Sequence, residues 1–278
     1  MKFLEFKSKF FSMIVAACVF LSTMSFATQT LASDYWEGVK QRGELRCAAA
    51  IAAPYVMKNP KTGEYGGAYL DLCKEFADVL GVKVVFVDTT WDNIVAGLQS
   101  GKWDLAPALN LTPQRALAIS FSGPAGYDAM TFLYRTDSEK VGHPTPDLKT
   151  LDVPGMRIGV VAGTAQDKAV TQRFKSAQVV RLPQLASLQL AILSGQVDVG
   201  GFPYDGGVLA QKTQGDHLTL LNPKPALIKQ AIGFGLPRSM EPRDIAVFNI
   251  FLEEKVALGE VDDSMIHYGQ IMLGKTDW

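Results

Sequence analysis

The stretch Trp91–Pro124, WDNIVAGLQSGKWDLAPALNLTPQRALAISFSGP, decides the fold. Trp91 to Ser100 places Ile94, Val95 and Leu98 at helical spacing and stops at Ser-Gly, a helix C-terminus signal. A short apolar strand follows around Asp104, and Thr112-Pro113 opens another helix, with Thr112 as N-cap and Pro113 at the first helical position. Arg115 therefore falls in the first turn, close to backbone N–H groups that have no helical partner. A guanidinium there opposes the helix dipole unless an anion sits between them. The placement points to a clamp for a ligand carboxylate through the planar donor fork. The plainer reading is a surface arginine or a structural ion pair.

Working outward, Leu45 to Ala50 reads as a strand, Ala52-Ala53-Pro54-Tyr55 as a loop, and 58–67 as turn chemistry. Leu70, Cys73, Phe76, Ala77 and Leu80 keep helical spacing up to Gly81, and Val82 to Val87 is a β-branched strand. This alternation is the grammar of an α/β sheet. Downstream, Leu98-Gln-Ser-Gly-Lys-Trp-Asp104 is echoed by Ile192-Leu-Ser-Gly-Gln-Val-Asp198. The same order of elements recurs around the echo: strand Arg157 to Ala162, helix Thr164 to Phe174, strand Val179 to Leu182, helix Leu185 to Ser194, strand Val197 to Gly201. Two similar α/β lobes are expected. Ala129 to Tyr134 and Ile228 to Leu236 are extended runs between them, and amphipathic helices over Asp244 to Leu258 and around Met265 to Met272 are expected to return to the first lobe. The expected division is lobe 1 over 33–133 and 237–278, lobe 2 over 137–233, and hinge strands near 129–136 and 230–237, with a ligand cleft between the lobes.

The chain has 278 residues and a net charge of −1, a balance that argues against a nucleic-acid partner. Lys2, Lys7 and Lys9 precede the apolar run Phe10 to Leu21, and small residues follow at Ser25, Ala27 and Ala32. This predicts a signal peptide over 1–32, cleaved after Ala27 or Ala32, and hence a periplasmic location. The apolar run is too short to span a membrane. Val15-Ala16-Ala17-Cys18 has a lipoprotein pattern, but hydrophobic sequence continues past Cys18 to Phe26, which disfavours it. Export leaves Cys47 and Cys73, which either form a disulfide or stay as two buried thiols. His143, His217 and His267 are widely separated and lack ligand-like companions, so no metal site is expected. Gly159-Val-Val-Ala-Gly163 lacks the lysine and the spacing of a P-loop, and no cofactor is expected.

Taken in order, Gly43-Glu-Leu-Arg, Gly67-Ala-Tyr-Leu-Asp71, Leu98-Gln-Ser-Gly-Lys-Trp-Asp104, Thr112-Pro-Gln-Arg115, Phe121-Ser-Gly-Pro124, Val160-Val-Ala-Gly163-Thr164 and Ile232-Gly-Phe-Gly-Leu-Pro237 resemble the periplasmic solute-binding proteins of ABC importers, polar amino-acid type. The resemblance implies a two-lobed type II periplasmic binding protein fold with two hinge strands that closes around a small solute, serves an ABC permease of the inner membrane, and is expected to be a monomer. It implies that Arg115 holds a ligand carboxylate, that Trp91 packs on the ligand, and that Gly163, Thr164 and Ala165 present backbone N–H groups, with Gln166 beside them. Ala108 and Asn110 match strand-end positions that touch ligand. The chain departs from the pattern at Pro203, where the family usually has an Asp for the ligand's ammonium; Asp205 or Tyr204 would need a bulge to replace it. Otherwise the ligand lacks a primary amine, or is a quaternary ammonium zwitterion caged by Trp91 and Tyr204. The aromatic that often follows the first strand is replaced by Ala52-Ala53, which implies more room in the cleft or a different shape. The chain also resembles cyclohexadienyl dehydratase, an enzyme on the same scaffold, for which Asp205 would be the candidate acid.

Overall fold

The computed structural model describes residues 34–141 and 147–278. The expected signal peptide over 1–32, Cys18 and His143 lie outside them. Helix α1 (Tyr35–Arg42) is fixed at its start by Asp34, whose carboxylate accepts from the N–H groups of Trp36 and Glu37. It ends at Gly43 in the left-handed region, φ 76°. Strand β1 (Glu44–Ala49) then pairs in parallel with β4 (Lys83–Asp88). Between them lie a short hairpin of β2 (Met57–Lys58) and β3 (Tyr65–Gly66) and the crossover helix α2 (Ala68–Leu80), which buries Leu70, Cys73, Phe76 and Ala77. Helix α3 (Ile94–Gln99), β5 (Ala106–Asn110), the single turn α4 (Pro113–Ala116) and β6 (Ser120–Phe121) follow.

Strand β7 (Gly126–Arg135) leaves this half of the molecule. The second half contains β8 (Arg157–Val161), α5 (Ala165–Arg173), β9 (Gln178–Leu182), α6 (Leu185–Leu193), β10 (Val199–Pro203), α7 (Tyr204–Gln214) and β11 (Leu218–Leu221). Strand β12 (Lys229–Leu236) returns, and α8 (Pro242–Ala257) and α9 (Glu260–Met272) complete the chain. One sheet runs β5-β12-β7-β10-β8-β9 through both halves. The first residues of β7 pair with β12, from Gly126↔Ile232 to Ala129↔Lys229, whereas the later ones pair with β10, from Met130↔Pro203 to Tyr134↔Val199. The two crossing strands thus form one antiparallel ribbon. Phe248 and Phe251 of α8 pack on Phe76 of α2 with ring centroids 4.8 and 5.2 Å away, so the C-terminal helices cover the first sheet.

The sequence echo has a shared structural cause. Asp104, fully buried, accepts from the backbone N–H of Arg46 at 2.8 Å and from its Nη2 at 3.0 Å. Asp198 does the same with Arg157, at 2.8 and 2.7 Å. Each aspartate ties the end of its helix-loop to the first strand of its own half.

Several elements differ from the sequence reading. The helix expected from Trp91 begins at Ile94, because Trp91-Asp92-Asn93 form a turn closed by Asn93 N–H onto Thr90 O at 3.1 Å. The strand expected over Val197 to Gly201 lies at Val199–Pro203, and Tyr204 and Asp205 start α7 directly. Cys47 and Cys73 are free and buried, one inside β1 and one on the inner face of α2. Burial first, then the neighbouring Cys73, pushes the Cys47 thiol well above its usual range, so it is an inert packing group.

Candidate functional site

The first wall of the cleft is shaped by an irregularity in β5. Its pairing with β12 jumps between Gly233↔Leu109 and Gly235↔Ala106, and Ala108 adopts φ 59°, a left-handed conformation that an alanine rarely takes. The bulge turns Ala108 and Asn110 toward a small cavity of about 40 Å³ between the halves. At roughly 10–15 Å³ for each water-sized particle, that is space for a compact solute. Trp91, held in its turn before α3, closes one side of the cavity and is itself buried.

Arg115 enters the same cavity from α4. Thr112 caps the turn by accepting from the Arg115 N–H at 3.3 Å, which fixes the backbone that carries the guanidinium. Nη1 donates to Asn110 O at 3.2 Å, and Nη2 reaches across the cleft to Gly163 O at 3.2 Å. Among the described residues no carboxylate lies within ion-pair distance of it. Burial alone pulls its pKa down to about 10. A guanidinium that satisfies only two carbonyls keeps donors available for an anion.

In the second half, Thr164 caps α5 by accepting from Asp167 N–H at 3.1 Å, and its hydroxyl donates to Val161 O at 2.7 Å. Gly163, at φ 74°, gives its N–H to the Asp167 carboxylate at 3.2 Å and turns its carbonyl toward Arg115. Thr164, Ala165 and Gln166 line the cavity. Of the residues singled out in the sequence, Gly163, Tyr204 and Asp205 do not line it, and the Gly163 N–H expected to face a ligand is taken by Asp167. The Tyr204 side chain is largely exposed, and Asp205 accepts the hydroxyl of Tyr55 at 3.0 Å, a contact that links the two halves.

Two polar cavity residues, Tyr55 and Asp128, escaped the sequence reading. Tyr55 lines the cavity from the loop after β1, so the space expected from Ala52-Ala53 is filled by an aromatic placed further along. Asp128 lies on β7, just before the run read as strand, and is buried. Its Oδ1 accepts Tyr204 N–H at 3.1 Å; its Oδ2 accepts Gln166 Nε2 at 2.9 Å and Asn110 Nδ2 at 3.3 Å. Burial pushes its pKa up to about 6 against the pull of these donors, with nearby Asp205 adding to the rise. The available signal was an acid next to a strongly apolar extended segment. The cavity therefore holds one half-buried cation and one buried carboxyl group that do not pair with each other.

The profile of the bacterial extracellular solute-binding proteins, family 3, matches residues 45–265. A probable histidine-binding protein of Campylobacter jejuni is 29% identical over 129 residues, 46% of this chain and 48% of that protein. Cyclohexadienyl dehydratase of Pseudomonas aeruginosa is 24% identical over 192 residues, 69% of this chain and 70% of that protein. The first of these alignments spans about half the length of the relative it matches. Among solved structures, the ancestral amino acid-binding protein that is a precursor of cyclohexadienyl dehydratase has a TM-score of 0.75 at 26% identity, over 84% of this chain and 99% of its own. The putative binding component of an ABC transporter from Wolinella succinogenes, complexed with lysine, has a TM-score of 0.73 at 26% identity, over 82% and 96%. The two-lobed architecture with paired crossing strands is the type II periplasmic binding protein fold. With its profile match running from β1 into α9, the chain belongs to the bacterial extracellular solute-binding proteins, family 3.

Proposed function

We propose that this chain is an exported receptor that captures a small carboxylate-bearing solute, an amino acid or a related zwitterion, by closure of its two lobes and delivers it to an ABC permease. The proposed lobes are 33–133 with 237–278, and 137–233. The observation that carries the reading is Arg115: a desolvated guanidinium that already bridges the halves through Gly163 O and has no acidic partner among the described residues. A solute carboxylate entering that fork gains charge-assisted bonds that water competes for poorly in so small a cavity. Because the fork and Trp91 come from one half and Thr164, Ala165 and Gln166 from the other, the solute binds both only in the closed state. It therefore shifts the population toward the form a permease recognises.

Thermal melting with a panel of amino acids, betaines and simple carboxylates tests this. A true ligand at about 100 times its dissociation constant adds roughly 2.7 kcal/mol of stability, and Arg115→Ala should abolish that gain. Retention of the gain in the variant would remove the clamp.

One observation favours a second reading, a dehydratase-like lyase. Asp205 is engaged by Tyr55, but Asp128 is a buried carboxyl in the cavity whose pKa is pushed up to about 6 by burial, a range suited to a general acid. Incubation with prephenate distinguishes the two: appearance of phenylpyruvate supports the enzyme, and its absence at high protein concentration supports the receptor.

A further inference from the structure

Position 203, at the end of β10, carries a proline, and Asp205 is turned toward Tyr55, so the second half offers no carboxylate among the residues that line the cavity. The hinge does. We infer that Asp128, on the strand that crosses between the halves, is the anion that receives the cationic nitrogen of the solute, so that the cleft selects zwitterions over simple carboxylates. This rests on the receptor reading above and deepens it.

Three features of the site converge on the assignment. Every group hydrogen-bonded to Asp128 is a neutral donor: Tyr204 N–H, Gln166 Nε2 and Asn110 Nδ2. Three donors aimed at one carboxyl favour its ionised form and oppose the burial that favours its protonation. Second, no lysine, arginine or histidine among the described residues lies within ion-pair distance, although the side chain is buried. A buried carboxylate balanced only by neutral dipoles is costly, and a cation brought by the ligand offsets that cost. Third, Asn110 touches both charges, its carbonyl accepting from Arg115 and its side-chain amide donating to Asp128. One residue therefore bridges the cation and the anion on the cavity wall.

The ionisable groups that face Asp128 are Asp205 of α7, Tyr55 of the loop after β1 and Tyr69 of α2, with Arg115 of α4 lining the same cavity. Gln230, directly opposite on β12, is neutral. None of these supplies a cation in contact with it. Protonation of Asp128 at mildly acidic pH should therefore weaken the hold on a cationic nitrogen while leaving Arg115 charged.

The test is calorimetry on the mature chain at pH 7.5 with three probe pairs: L-alanine and propanoate, L-histidine and imidazole-4-propanoate, L-arginine and 5-guanidinopentanoate. The α-amino acid that binds should exceed its deamino partner by about 100-fold or more, the range for a buried charge pair. Asp128→Asn should collapse that gap to under tenfold, and wild-type affinity for alanine or arginine should fall at least fivefold from pH 7.5 to pH 5. If Asp128→Asn keeps the gap, or wild-type affinity is flat with pH, the anchor is overturned even where Arg115→Ala still abolishes binding. Should the variant fail to fold, the wild-type pH series alone decides. Failure of every probe to bind wild-type protein counts against the receptor reading and the anchor together.

Discussion

Asp128 makes the free protein less stable than it would otherwise be. Its folded pKa, about 6, lies above the ordinary carboxylate value, so the native state binds this proton more tightly than the unfolded chain does. The contribution is most favourable below pH ~4 and is lost as pH rises toward 6, by roughly 3 kcal/mol at about 1.4 kcal/mol per pKa unit. Denaturant melts of the ligand-free chain should show this slope, and Asp128→Asn should flatten it and melt higher at pH 7. Arg115 was legible in the sequence because its position follows from cap chemistry within four residues, Thr112 to Arg115. Asp128 was not, because its burial comes from contacts with Asn110, Gln166 and Tyr204, which are 18, 38 and 76 residues away. Tyr55 is a similar case: nothing local distinguishes a loop tyrosine facing solvent from one facing a cleft.

At the level of elements, periodicity and glycine signals located most strands and helices, and the repeated Ser-Gly-x-x-Asp pattern predicted two similar units. Its meaning lay in ion pairs the sequence does not display. Asp104 is completely buried and also held by Arg42 and Tyr35, whereas Asp198, slightly exposed, pairs with Arg157 and with the half-exposed Lys140. Asp104→Ala should cost about 2–3 kcal/mol in urea unfolding, and Asp198→Ala clearly less, because it removes the buried acceptor shared by the Arg46 N–H, the Arg42 and Arg46 guanidiniums and the Tyr35 hydroxyl. The β5 bulge at Ala108 was likewise illegible, since glycine rather than alanine normally marks such a position. At Gly163 two reasons for a glycine coincide, a left-handed φ of 74° and closeness of approach. A Cβ at Gly163 would lie 2.7 Å from the backbone N of Asp92, with the Asp92 side chain closer still. Gly163→Ala should leave the melting temperature of the free chain within a few degrees of wild type yet weaken ligand binding at least tenfold, because it props the cleft open; calorimetry reads the second effect.

Across the molecule, β7 and β12 join the two halves within the continuous sheet, and the Tyr55–Asp205 and Arg115–Gly163 contacts bridge them at the cavity. This architecture was anticipated from two extended runs flanking a repeat, but the length of β7 was underestimated because Gly126-Tyr127-Asp128 resembles a turn. Asp128 sits on that ribbon, so under the proposed closure its position changes least as the halves move. An incoming zwitterion therefore meets its anion while the mouth is still wide, and the contacts of the second half form afterwards. Order of arrival should be visible in kinetics. Tyr55→Phe, which removes the late contact with Asp205, should hasten solute departure about tenfold in stopped-flow measurements and leave the rate of capture unchanged.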